Sequence, residues 1–209
     1  MTRNRRASVL AGVALASIAT CASASNLITN PGFEADGPSA TVVVPTGWTA
    51  DDAYNLHPSF NFVTNNPLFV YAGDRALSIS NYEYEAVPHL SQTFTDMIGA
   101  TYQVSFFATS LFGTAGSFLQ AAVGGSSITL HGALPAYAPF SFSFVGTGSD
   151  TLSFGAVNSA GYYYIDGVTV DLAGAGVPEA SIWAMLLLGF GGLGGVLRRR
   201  RWQAAQAAV

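Results

Sequence analysis

Apolar and polar residues alternate along much of this chain in short runs. In Ser141-Phe142-Ser143-Phe144 every second residue is aromatic. A period of two puts alternate side chains on opposite faces of a strand, so this run has one buried and one solvated face. Similar runs, rich in Val, Thr, Phe and Tyr and bounded by Gly, Asn, Pro and Ser, predict strands at 41–44, 75–80, 90–95, 101–109, 118–123, 126–131, 140–145, 151–156 and 162–171. Gly124-Gly125 reads as a hairpin turn, and Thr147-Gly148-Ser149-Asp150 as a turn between two strands. No helical period is sustained before the last thirty or so residues. Many short antiparallel strands predict an all-β fold, a β-sandwich or jelly roll, over residues 25–172.

The two ends of the chain break this pattern. Arg3, Arg5 and Arg6 precede an apolar run, Val9 to Ala19, and Ala22-Ser23-Ala24 supplies an A-x-A cleavage site with Ala22 and Ala24 at its small positions. Residues 1–24 therefore read as a signal peptide. A twin-arginine signal at Arg5-Arg6 and a lipidated Cys21 are the alternatives. Cleavage after Ala24 removes Cys21, the chain's single cysteine, and leaves no thiol chemistry. At the other end, Ala173-Gly174-Ala175-Gly176 opens a flexible linker, residues 173–177. Ala180 to Leu197 then carries no charge and is followed by Arg198, Arg199, Arg200 and Arg201. At 1.5 Å per residue this run makes roughly 27 Å of helix, enough for a short transmembrane span. The arginines stay cytoplasmic, as do residues 202–209 behind them, which places the β domain outside the inner membrane. Gly191 and Gly195 stand in a small-xxx-small relation suited to helix packing. A plain membrane anchor is the alternative to any more specific tail.

Charge is segregated along the chain. Between Ser25 and Val177 there are eleven acids, one arginine (Arg75) and no lysine, about −10 in all, whereas the whole chain carries −4. So acidic a domain repels nucleic acid, which needs a basic face. Catalytic signals are weak. His57, His89 and His131 show no metalloprotease spacing, and there is no G-x-S-x-G elbow. Glu83 and Glu85, two apart, would share one face of a strand as paired carboxylates, but such acids are more often solvated. The domain is read as non-enzymatic, with a hydrolase the remote alternative. Exposed tyrosines stack on sugar rings, and Tyr54, Phe60, Tyr71, Tyr82, Tyr84, Tyr137 and Tyr162 to Tyr164 lie in or beside loops. Trp48 is expected in the core. One side of the Tyr162-Tyr163-Tyr164 run should be exposed or covered by a loop.

Two resemblances extend this reading. Pro178, Glu179, Ser181, Trp183 and Met185, with the short Gly-rich helix and the block Arg198 to Arg201, resemble the PEP-CTERM sorting signal of bacterial exported proteins, here residues 178–201. Ala180 departs from it, standing where the motif has its second proline. The resemblance implies processing by exosortase, a membrane transpeptidase-like enzyme, and delivery to the cell surface or extracellular matrix. Asn26-Leu27-Ile28-Thr29-Asn30-Pro31-Gly32-Phe33-Glu34 with Gly47-Trp48, and later Tyr164-Ile165-Asp166-Gly167-Val168, resemble galactose-binding-like jelly rolls, which are common among carbohydrate-binding modules. That implies neighbouring first and last strands, and a structural calcium ion held by Glu34 and Asp166. Gly167 stands where many relatives carry a further carboxamide or carboxylate. The function expected is structural or adhesive, in an exopolysaccharide or biofilm matrix. The alternative is a carbohydrate-binding module with a defined polysaccharide ligand.

Overall fold

A computed structural model describes residues 25–37, 43–83 and 85–174. Ten strands form in chain order: β1 (Thr49–Ala50), β2 (Phe62–Thr64), β3 (Ala76–Ile79), β4 (His89–Thr95), β5 (Thr101–Ser110), β6 (Phe118–Val123), β7 (Ser126–His131), β8 (Leu134–Val145), β9 (Ser149–Val157) and β10 (Tyr163–Leu172). They build two five-stranded antiparallel sheets, ordered β1-β4-β9-β6-β7 and β2-β3-β10-β5-β8. This is a jelly-roll sandwich. Between β1 and β2 lies one short helix, α1 (Asp52–Leu56).

Alternation makes the core. Tyr102, Val104, Phe106 and Ala108 of β5 point inward, as do Leu119, Ala121 and Val123 of β6 and Leu152, Phe154 and Ala156 of β9. An aromatic series crosses the sandwich, from Phe33 to Trp48 (ring centroids 5.5 Å apart) to Phe154 (6.1 Å) to Phe106 (5.2 Å from Phe154). Trp48 is a core residue, as expected. In β10 the alternation changes phase at Gly167, which has φ +59° and sits where the pairing with β5 slips. A glycine accepts that left-handed turn without strain. The slip leaves Ile165 and Val168 both inward, with Asp166 outward.

The N-terminal segment closes the sandwich. Leu27 N donates to Val170 O, and the Asn26 side chain bonds the backbone of both Val168 and Val170. The Gln92 side chain of β4 accepts from Thr29 N at 2.6 Å and donates to Thr29 O at 2.9 Å. Residues 26–29 thus lie beside the last strand, as the jelly-roll resemblance implied.

Differences from the sequence expectation have local causes. Val43 and Val44 lie in a bend, not a strand; residues 41 and 42 lie outside the described residues. β1 and β2 span two and three residues, too short for a period to show. α1 has five residues and depends on the Asp51 cap, whose Oδ1 accepts from Tyr54 N at 2.7 Å. β8 begins at Leu134, before Pro135 and Pro139, which a strand tolerates at a sheet edge. The β6–β7 turn is as expected, with Gly124 and Gly125 at φ +52° and +82°. Among the described residues no helix is long and apolar enough to cross a membrane. The expected span at 180–197 lies outside them.

Candidate functional site

At one end of the sandwich the loops after α1, after β3 and before β10 bring three half-buried rings together. Phe60 meets Tyr82 edge-on (centroids 5.3 Å, planes 80° apart) and Tyr162 likewise (5.9 Å, 63°). His57 stacks on Phe60 from the other side at 5.6 Å. The three rings border a cleft of about 200 Å³ that is also lined by Asn81, Asn158 and Gly161.

Buried amides hold the floor of this cleft in place. The Asn158 side chain donates to Ser110 Oγ and Phe112 O, and its carbonyl accepts from Ser117 Oγ and Ala160 N. Ser80 Oγ reaches Asn158 O at 2.9 Å and Gly161 O at 2.8 Å. Asn81 ties its own loop through Ala86 O and Tyr82 N. These groups are committed to the loops, so the aromatic rings are the main surface the cleft offers a ligand. Beyond Gly161, Phe112 is 64% exposed, and a Cβ built on Gly161 would lie 3.4 Å from its Cβ. Phe112 therefore forms part of the rim.

Glu83 and Glu85 were expected to share one face. They lie in a turn and diverge: Glu83 accepts from the Thr114 hydroxyl, and Glu85 Oε2 lies 2.7 Å from His57 Nε2. A pair of facing carboxylates, as a hydrolase would need, is not formed there. His89 is likewise taken up, with Nδ1 3.0 Å from Asp51 Oδ2.

The fold brings Glu34 and Asp166 to one place: a Cβ built on Gly32 would lie 3.6 Å from Glu34 Cγ and 3.7 Å from Asp166 Oδ1. Both clamp the loop before β3. Asp166 Oδ2 accepts from Tyr71 N (3.1 Å) and Ala72 N (3.0 Å), and Oδ1 from Gly167 N (2.7 Å). Glu34 Oε1 accepts from Asp74 N (2.8 Å) and Arg75 N (3.0 Å). Burial pushes the Asp166 carboxyl up, the nearby Glu34 charge adds to this, and the three amides oppose it. Calcium takes six to eight oxygens. Here five amide N–H groups occupy three of the four carboxylate oxygens, so the pair fits a loop clamp better than a cation cage. Among the described residues no three His, Cys, Asp or Glu side chains gather as a metal site.

The remaining aromatics divide by burial. Tyr54 and Tyr163 are core, with their hydroxyls on Val43 O and Gly132 O; desolvation raises both, Tyr163 to about 12. Tyr164 is covered by Phe69, and Tyr71 lies over Phe107. Tyr137 donates its hydroxyl to Phe69 O. Tyr84 lies outside the described residues, as do Ala22, Ala24, Pro178, Glu179, Ser181, Trp183, Met185 and Arg198 to Arg201. Phe112 and the Asn158 hub carry no mark in the sequence beyond nearby glycines. Sheet order brings Phe112 to Tyr162, whereas Asn158 precedes it in the same β9–β10 loop.

Solved structures share this fold. TmCBM61, solved in complex with β-1,4-galactotriose, is similar at a TM-score of 0.53 and 16% identity, over 71% of this chain and 99% of that one. The CBM22-1 xylan-binding domain from Paenibacillus barcinonensis Xyn10C is similar at 0.47 and 17% identity, over 71% of this chain and 95% of that one. These are carbohydrate-binding modules, and at such identity the likeness is one of fold. No protein-family model matches the chain, and no curated protein is similar to it.

Proposed function

We propose that residues 25–172 form a non-catalytic glycan-binding module, carried on a chain that is exported and sorted by its C-terminal tail. The observation that carries the binding reading is the Phe60–Tyr82–Tyr162 cleft. Half-buried rings at a loop-built end, held by a committed hydrogen-bond network, suit the apolar faces of a sugar. The shared fold with TmCBM61 supports it. Affinity electrophoresis of the protein through gels holding β-1,4-galactan, xylan or mixed-linkage β-glucan tests it. At least one polysaccharide should retard the protein, and Tyr162→Ala should abolish retardation while circular dichroism shows the protein still folded. Free migration across the panel would sink the reading.

The sorting reading rests on Pro178, Glu179, Ser181, Trp183, Met185 and the arginine block behind the apolar run. In it, the chain is held in the inner membrane until exosortase cleaves near Pro178, then passes to the surface or matrix, where a module of this kind would meet polysaccharide. Intact mass with and without exosortase tests it; an uncleaved, membrane-held chain in both cases would make the tail a plain anchor.

A further inference from the structure

The charge around the aromatic cleft carries the glycan reading, on which this inference rests, one step further. We propose that the cleft prefers glycans bearing organic ammonium groups, amino sugars, over neutral and anionic ones.

The first ground is what the surface lacks. Between Ser25 and Val177 the chain holds one arginine and no lysine, and that arginine, Arg75, is 2% exposed. The outside of the domain therefore has no lysine or arginine to meet a uronate carboxylate or a sulfate. An anionic glycan approaches a surface of about −10 with nothing to offset the repulsion.

The second ground is what stands at the cleft. Glu83 and Glu85 follow Tyr82 in the loop after β3. Glu85 lines an adjoining hollow of about 300 Å³ together with Leu56, His57 and Asn81. It hydrogen-bonds His57 through one oxygen, and its side chain is 32% exposed. Glu83 accepts from Thr114 and lies against Gly116, where a Cβ would come within 2.6 Å of its carboxylate. Glu85 is thus held on His57, whose ring stacks on Phe60, and Glu83 is tied to the cleft through its N–H on Ser159 Oγ while its carboxylate lies at Thr114.

The third ground is ring orientation. Phe60 stands edge-on to Tyr82 and steeply tilted to Tyr162, so the three rings do not make one flat stacking platform. A cation over such faces is attracted by each ring quadrupole, and nearby carboxylates add Coulomb attraction. A neutral sugar gains the stacking alone.

Three β-1,4-linked oligomers of equal length test this by calorimetry at pH 8: N,N,N-trimethylglucosamine, whose charge is independent of pH, N-acetylglucosamine and glucuronate. In 50 mM salt the ammonium oligomer should bind about tenfold tighter than the acetylated one, falling to about threefold in 500 mM salt as screening grows, and glucuronate should not bind. The double variant Glu83→Gln/Glu85→Gln should erase most of the preference, weakening the ammonium oligomer far more than the acetylated one. Circular dichroism confirms that it folds. Equal binding of the ammonium and acetylated oligomers overturns this inference and leaves the glycan reading standing. A preference that survives the double variant also overturns it, because the selection then comes from overall charge and not from the cleft. If no oligomer of any charge binds the folded protein, this inference falls, while the glycan reading is decided by the polysaccharide gels.

Discussion

The outer faces of the two sheets solve the same problem in opposite ways. On the β2-β3-β10-β5-β8 sheet, Tyr164 and Phe107 point outward, and the loop before β3 is laid over them. Phe69 stacks on Tyr164 at 4.2 Å with planes 3° apart, and Tyr71 on Phe107 at 3.8 Å and 15°. On the β1-β4-β9-β6-β7 sheet the centre of the outer face is polar, with Ser91, Thr93, Thr151, Ser153, Gln120 and Thr129. They need no cover. Thr93 and Thr151 bond each other across β4 and β9 at 2.8 Å, Gln120 reaches Thr129 Oγ1 and Ser91 reaches Thr49 O. Large rings facing outward demand a lid; small hydroxyls do not. The lid is then a loop that must be anchored, and Asp166 and Glu34 anchor it.

The largest effect should come from removing that anchor. Asp166→Ala strips acceptors from three amides in a buried setting and should cost about 3 kcal/mol in urea denaturation. A loss below about 1 kcal/mol would mean the stacked rings hold the loop unaided. Phe69→Ala uncovers Tyr164 and should cost about 2 kcal/mol by the same measurement, from lost burial and stacking.

A smaller effect belongs to the far end, where Asp96 and Asp150 meet between turns. Burial, then the hydrogen bond and charge of Asp150, push the Asp96 carboxyl up. Burial pushes Asp150 up too, but hydrogen bonds from Thr147 and Asp96 outweigh it and hold Asp150 below the usual range. An acid raised in the folded state adds stability that is complete below its unfolded value of about 4 and is lost as pH rises through the folded one. Asp96→Asn should therefore raise the unfolding midpoint at pH 7 and reduce its dependence on pH between 4 and 7; an unchanged pH profile would refute proton sharing by the pair.

Chelation should do less. With amides on three of the four oxygens of Glu34 and Asp166, we expect EDTA or millimolar Ca²⁺ to move the midpoint by less than about 2 °C, within what about 0.5 kcal/mol gives in a domain this size. A clear rise with Ca²⁺ would restore the calcium site that the sequence resemblance implied. The smallest effect is on the hydroxyl face, where Thr151→Val should stay within about 0.5 kcal/mol of the parent protein.

Most strands were legible because the signal is local. β4, β5, β6, β7 and β9 fall where alternation put them, and Tyr162, just before β10, lies beside Tyr164 as the same period of two predicts. The nearness of Glu34 to Asp166 was also readable, through the resemblance to jelly rolls. The segregation of charge, an acidic domain between basic ends, is a property of the sequence alone. Other facts depended on which elements the sheet order sets side by side. Arg75 is the domain's only basic residue, yet its side chain is buried. Glu83 and Glu85 are two apart, yet one goes to Thr114 and the other to His57. Phe60, Tyr82 and Tyr162 are separated by 22 and 80 residues in the sequence, yet form one cleft. Alternation fixes which face of its own strand a residue takes, because that depends only on adjacent backbone geometry. Which loops meet at an end of the sandwich depends on how strands distant in sequence pair, and that is decided by the packing of the whole core.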